Sequence, residues 1–313
     1  MPVLPLRPVI ELTFDPVVTL GDWHVRLSTL ALAGVILVTL LVVARIAGRT
    51  PVDLRHPPGA INPEGEANHL RRDDLLYLAV ATLPGAVIFG RLGYALIHVD
   101  YYAANPGALV DISQGGFQLS LAVVGGTLTA AIVASLLDAP IPRWLHAVAL
   151  PLLFALAGGK LAMALGGDGQ GVPWDGAWAT AYLGPGPWLS LAPEVPSHPA
   201  QVYEALATVG VLVVVGALVA SGAFRGRGGA AFLAALGAWA AARAIVALTW
   251  RDPAVLGPLR MDQVISLAIA VVSLVLLGAG VLRGRAGAAR RDAAALPRAD
   301  EPEWPDPASR PPI

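Results

Sequence analysis

Ser197-His198-Pro199-Ala200-Gln201-Val202-Tyr203-Glu204 closes a long loop free of Lys and Arg and opens an apolar run from Ala205 to Ala220. A helix that begins with Gln, Tyr and Glu and then turns wholly aliphatic sets its polar cluster at one face of a membrane. Pro199 suits the first helical turn, where its missing N–H has no intrahelical partner to lose. An acid at the mouth of a membrane helix either caps the interface or needs a partner or watery cavity. The rest of the chain decides between these.

Outward from this stretch the pattern repeats. Of 313 residues, 56 % are hydrophobic and 14 % charged, with a mean hydropathy of +0.64. A soluble domain carries about 25 % charged and about 45–50 % apolar residues. Apolar runs cover roughly 27–47, 75–98, 117–137, 144–166, 201–221, 229–250 and 262–282. Each has about 20 residues, enough for a hydrocarbon core of about 30 Å. Their length and continuity exclude strands. The net charge of −1 shows no basic bias towards nucleic acid. The absence of cysteine excludes disulfides, thiolate metal sites and a thiol nucleophile of the chain's own. No metal or cofactor is expected, and no removable signal peptide is read at the N-terminus.

Basic residues orient the spans. Arg49, Arg55, Arg71 and Arg72 fall in the loop 48–74, Arg143 in the next turn but one, Arg225 and Arg227 in 222–228, and Arg283, Arg285, Arg290 and Arg291 in the tail. The alternate loops 99–116 and 167–200 have no Lys or Arg, whereas 251–261 has two Arg. By the positive-inside rule this predicts an all-α integral membrane protein of seven transmembrane helices, N-terminus outside and C-terminus cytoplasmic. Residues 1–26 read as an extracytoplasmic segment approaching along the membrane surface. The stretch 167–200 reads as a small extracytoplasmic cap and 283–313 as a disordered cytoplasmic tail.

These directions place the intramembrane polar residues by depth. Arg91 and His98 lie towards the outer end of the second span, and Gln118 and Ser120 open the third. Lys160, the single lysine, sits about six residues, or roughly 9 Å, from the outer end of the fourth. Tyr203 and Glu204 open the fifth, Arg243 lies in the outer half of the sixth, and Asp262 and Gln263 open the seventh. Gathered at one level, Arg91, Lys160, Glu204 and Arg243 are expected to face one another around an anion. A phospholipid headgroup of the outer leaflet is the natural candidate.

The chain resembles the bacterial prolipoprotein diacylglyceryl transferases. The resemblance runs through Phe89-Gly90-Arg91-Leu92-Gly93-Tyr94, Tyr101-Tyr102, Asn105-Pro106 and the glycine pairs Gly115-Gly116 and Gly125-Gly126. It is densest at His198-Pro199-Ala200-Gln201-Val202-Tyr203-Glu204, which matches the family's His-Pro-x-Gln-x-Tyr-Glu. Arg243 and Met261-Asp262-Gln263 complete it. The family moves diacylglyceryl from phosphatidylglycerol to the lipobox cysteine of prolipoproteins in the bacterial cytoplasmic membrane. The resemblance therefore implies catalytic roles for Arg243, His198, Glu204 and Tyr203. It implies substrate binding by Lys160, Arg91, Ser120, Gln201, Asp168 and Gly171, with the thiol nucleophile supplied by the substrate's signal peptide.

Several positions differ from the family pattern. Ser120 stands where the family has a histidine, and Trp239 where it usually has tyrosine. In the run from Gly159 to Gly171, Lys160 replaces arginine, Met163 and Gly166 replace asparagines, and Asp168 replaces glutamate. An active transferase is one reading; a paralogue that keeps the lipid site without the transfer chemistry is the other. A transporter is disfavoured by the absence of an inverted repeat and by charges at one face rather than the midplane.

Overall fold

The computed structural model describes residues 9–52, 69–111 and 116–295. Arg55, Gly115, the first eight residues and 296–313 lie outside them, as do the side chains of Arg285, Arg290 and Arg291. The apolar runs become helices α1 (Leu27–Ala47), α2 (Asp74–Ile97), α4 (Leu119–Leu136), α5 (Ile141–Leu165), α6 (Ala200–Ala220), α7 (Ala230–Val246) and α8 (Met261–Ala295). A short α3 (Val99–Ala104) follows α2. Each of the seven long helices is apolar enough to cross a membrane, so the chain is a multi-pass membrane protein. The last runs beyond the expected end at 282, so the first part of the expected disordered tail is helical. Its Ala- and Arg-rich composition favours continuing the helix.

Because lipid is as apolar as leucine, these helices gain from close van der Waals packing rather than from hydrophobic burial. Glycine provides that packing between α2 and α4. A Cβ at Gly85 would collide with the Gly125 carbonyl, and one at Gly125 with the Gly85 carbonyl. Gly158 of α5 receives Val35 of α1 in the same way. Leu83, Ile132, Leu136, Val214 and Leu274 stand outward on the bundle wall, where the bilayer solvates them.

Two apolar clusters hold the bundle. Val43, Leu78, Ala134 and Trp144 pack where α1, α2, α4 and α5 meet. Leu153, Val215, Phe232 and Trp239 join α5, α6 and α7. Pro84 and Pro151 sit inside α2 and α5, both of which continue through them.

One end of the bundle carries a cap built from two distant pieces of chain. β1 (Ile10–Leu12) pairs in parallel with β4 (Thr180–Tyr182), so the N-terminal segment is a strand of the cap rather than a surface approach alone. β2 (Val17–Leu20) and β3 (Trp23–Arg26) form a hairpin whose turn begins at Gly21, at φ +63°. That value suits a two-residue hairpin loop. Tyr182, 2 % exposed, packs against Trp188, which in turn meets Phe14 edge-on at 5.3 Å. A third hairpin, β5 (Ala254–Leu256) with β6 (Leu259–Arg260), links α7 to α8 at the same end.

Candidate active site

Under the cap, helix ends bring alternating charges together. Lys160 comes from the last turns of α5, Glu204 from the start of α6, Arg243 from the last turn of α7 and Asp262 from the first turn of α8. An arginine at a helix C-terminus and an aspartate at an N-terminus each complement the local helix dipole. Lys160 Nζ lies 3.0 Å from Glu204 Oε2. Arg243 donates through Nη1 to Glu204 Oε1 and through Nη2 to Asp262 Oδ2 at 3.0 Å. Gln118 Nε2 donates to the other Asp262 oxygen, while Gln118 Oε1 caps α4 by accepting from the Leu121 N–H at 2.5 Å. The cluster is thus Lys⁺–Glu⁻–Arg⁺–Asp⁻: Glu204 Oε1 and both Asp262 oxygens accept hydrogen bonds, and Glu204 Oε2 is held by the Lys160 ion pair alone. Leaving one buried charge unpaired would cost about 3–5 kcal/mol, which explains why the members come as a set.

The cluster lines a cavity of about 210 Å³. Gly169, Gln170 and Gln201 close it from the cap side, and Trp250, Arg251 and Asp252 from the α7–α8 connection. The Trp250 ring lies 4.3 Å below the Arg243 guanidinium and 5.7 Å from Lys160 Nζ. Such contacts add to the holding of desolvated cations. Arg243 Nε has no partner and is buried, leaving one guanidinium donor uncommitted. Arg251 binds the cap through the Gly171 carbonyl at 2.7 Å and Ser197 Oγ at 3.1 Å. Burial, aided by the neighbouring Asp262 charge, pushes the Asp252 carboxyl above the usual carboxylate range. The Tyr182 hydroxyl, buried in the cap, is pushed up to about 12.

Against this geometry, the family profile described as prolipoprotein diacylglyceryl transferase matches residues 16–279. The chain belongs to the prolipoprotein diacylglyceryl transferase family. Among its relatives, the phosphatidylglycerol–prolipoprotein diacylglyceryl transferase of Trichormus variabilis is 27 % identical over 271 residues, covering 84 % of this chain and 88 % of that protein. The same-named protein of Bacillus cereus strain G9842 is 26 % identical over 217 residues, 68 % of this chain and 79 % of its own. That of Clostridioides difficile strain 630 is 25 % identical over 198 residues, 63 % and 75 %.

Within this transferase scaffold the expected site residues divide into groups. Lys160, Glu204, Arg243 and Gln201 meet at the cavity. Arg91 does not line it. Its guanidinium donates to the carbonyls of Ala108, Leu109, Asp111 and Gly116 and lies 5.3 Å over Tyr102, so it holds the chain between α3 and α4. The expected four-way convergence of Arg91, Lys160, Glu204 and Arg243 is therefore corrected to the last three with Asp262.

His198 and Tyr203 form a separate group. His198 Nδ1 lies 3.3 Å from the Tyr203 hydroxyl, and its ring stacks on Trp174 at 4.3 Å. Burial holds this imidazole below its ordinary pKa. Ser120 is fully buried, its Oγ 3.2 Å from Ser266 Oγ of α8. Asp168 does not line the cavity and turns the chain after α5, its N–H bonded to Met163 O at 3.1 Å. Gly171 does not line the cavity and ties the cap together through its backbone. Its N–H donates to His198 O at 2.8 Å, and a side chain there would collide with the Thr249 carbonyl.

Sequence reasoning did not assign roles to Asp262, Gln118, Gln170, Trp250, Arg251 and Asp252. One signal was present: 251–261 has two arginines on the side that the positive-inside rule leaves bare. Arg251 is spent on the cap, and Arg260 donates to the carbonyls of Asp252, Ala247 and Leu248. Such arginines are committed to structure and escape a rule about free charge.

Proposed function

We propose that this chain transfers the diacylglyceryl group of phosphatidylglycerol to the lipobox cysteine of prolipoproteins, at the cavity under the cap. The protein sits in the bacterial cytoplasmic membrane with the cap facing outwards. The observation that carries this reading is the Lys160–Glu204–Arg243–Asp262 chain lining a cavity among the spans, in a chain of the transferase family.

The lipid phosphodiester takes the remaining hydrogens of the Lys160 ammonium and the uncommitted Arg243 Nε–H. Glu204 and Asp262 keep both cations in place. The substrate thiol gives its proton to water, its thiolate attacks the diacylglyceryl carbon that carries the phosphate oxygen, that C–O bond breaks, and glycerol phosphate leaves with the bonding pair as a phosphate monoester. Cations that hold the phosphate offset the charge growing on the leaving oxygen. They also favour thiolate over thiol in the approaching peptide. His198 is poorly placed to take the thiol proton, being outside the cavity wall and stacked on Trp174.

The test is transfer to a lipobox peptide in liposomes containing phosphatidylglycerol, read as the mass gain of the peptide. The expected result is a diacylglyceryl adduct that needs the cysteine. A protein that binds phosphatidylglycerol yet gives no adduct would favour the lipid-binding paralogue, the reading to which Ser120, in place of a histidine, otherwise points.

A further inference from the structure

The cavity is lined by cations and by two glutamines whose amide oxygens are buried without a partner. Gln170 and Gln201 both line it, 7 % and 2 % exposed. The orientation of each amide is fixed by its nitrogen. Gln170 Nε2 donates to the carbonyls of Thr180 at 3.2 Å and Pro193 at 3.4 Å. Gln201 Nε2 donates to the Tyr182 hydroxyl at 3.0 Å, whose own hydrogen goes to Ala164 O at 2.8 Å. Turning Gln170 over would set its oxygen against two carbonyls, and turning Gln201 over would take the Tyr182 hydrogen away from Ala164 O. Each Oε1 is therefore a buried acceptor, and neither has a hydrogen-bond partner.

Buried acceptors left unpaired are costly, and a phosphate, itself only an acceptor, cannot relieve them. A group bearing donors can. Three cations, Lys160, Arg243 and Arg251, line the same cavity against two acids, Glu204 and Asp252, and Glu204 is already held by two of the cations, so an added ammonium would meet an excess of like charge. Neutral hydroxyls meet none.

We infer that Gln170 and Gln201 form a hydroxyl-reading subsite that accepts hydrogen bonds from a lipid's glycerol headgroup while Lys160 and Arg243 hold the adjoining phosphate. The inference rests on the transferase reading above; it adds Gln170 to the substrate-binding residues and gives Gln201 a specific part in headgroup selection. A site built around a substrate hydroxyl rejects the analogue that lacks one, because its own polar groups are then left buried and unpaired.

The experiment compares phosphatidylglycerol with phosphatidylmethanol, a phosphodiester of the same charge without headgroup hydroxyls, in liposomes with the full-length protein. Phosphatidylethanolamine supplies the cationic arm. The wild type is expected to favour phosphatidylglycerol over phosphatidylmethanol in kcat/KM by about tenfold or more, as the loss of one or two neutral hydrogen bonds implies. Gln170→Leu and Gln201→Leu should each narrow that ratio by about three- to tenfold, mainly through lost phosphatidylglycerol turnover. The ratio is taken within one preparation, so a loss of folded protein cancels. Equal use of the two lipids by wild type, variants that slow both equally, or efficient use of phosphatidylethanolamine overturns the inference.

Calorimetric titration with short-chain forms of the same lipids reads binding without turnover. If no lipid supports transfer, a binding preference for phosphatidylglycerol that Gln170→Leu erases retains the subsite and removes the transferase reading. No preference removes the subsite.

Discussion

At the scale of residues, Lys160 holds the exposed end of the charge chain. Its side chain is 12 % exposed and pairs with a Glu204 that Arg243 also holds. Lys160→Ala should abolish diacylglyceryl transfer while Glu204 keeps its arginine. Lys160→Arg should keep or raise it, since a guanidinium grips a phosphate by two parallel bonds; the liposome transfer assay reads both. Ser120 invites a different expectation. It is fully buried against Ser266, so Ser120→His overpacks the α4–α8 contact and should cost about 1–3 kcal/mol. Thermal unfolding in detergent would report the loss, and a faster enzyme of unchanged stability would contradict it. Asp252 supplies a pH signature. Its carboxyl titrates higher in the folded protein than the roughly 3.9 of a free aspartate, so the stability it contributes is complete below that value. It is lost as pH rises through the folded pKa. Asp252→Asn should therefore flatten the fall in melting temperature above about pH 4, and an unchanged slope would remove Asp252 as its source.

At the scale of elements, α2 and α4 touch backbone to backbone. Gly85→Ala or Gly125→Ala forces the helices apart, since each new Cβ meets the other glycine's carbonyl. Removing so close a contact should lower the melting temperature sharply, or prevent accumulation of folded protein. Gly210 and Gly216 of α6 are the control, with nothing within 4 Å of an added Cβ. There alanine should be neutral or stabilising by up to about 1 kcal/mol. Equal effects at both pairs would mean that helix propensity, not packing, governs these positions. The helix ends matter as much as the middles. Four of them carry Lys160, Glu204, Arg243 and Asp262, and a helix entering one turn earlier or later would shift its charge about 5.4 Å along the axis.

For the molecule as a whole, the cap and the charge cluster share one end, and the basic loops 48–74 and 222–228 lie between successive spans that leave and re-enter the opposite end. Reporter fusions after Arg71 and after Arg225 are expected to read cytoplasm, and a fusion within 167–200 the exterior. A reversed pair would invert the proposed membrane orientation and the leaflet from which lipid is drawn.

The sequence by itself determined the seven spans, because a continuous apolar run of about 20 residues has few other ways to satisfy its backbone in lipid. It also placed Lys160, Glu204 and Arg243 at one depth, since depth along a helix is a matter of counting residues. Which residues at that depth touch is set by rotation about each helix axis and by neighbour order, and neither is counted along the chain. Arg91 shows the limit: it belongs to the right span and level, yet its guanidinium turns to the carbonyls of Ala108, Leu109, Asp111 and Gly116. Asp262 shows the converse, a span-opening acid that only the packing of α7 against α8 makes the partner of Arg243. The same holds for Gln170 and the strand 10–12, both committed to the cap by pairing across more of the chain than any local pattern spans.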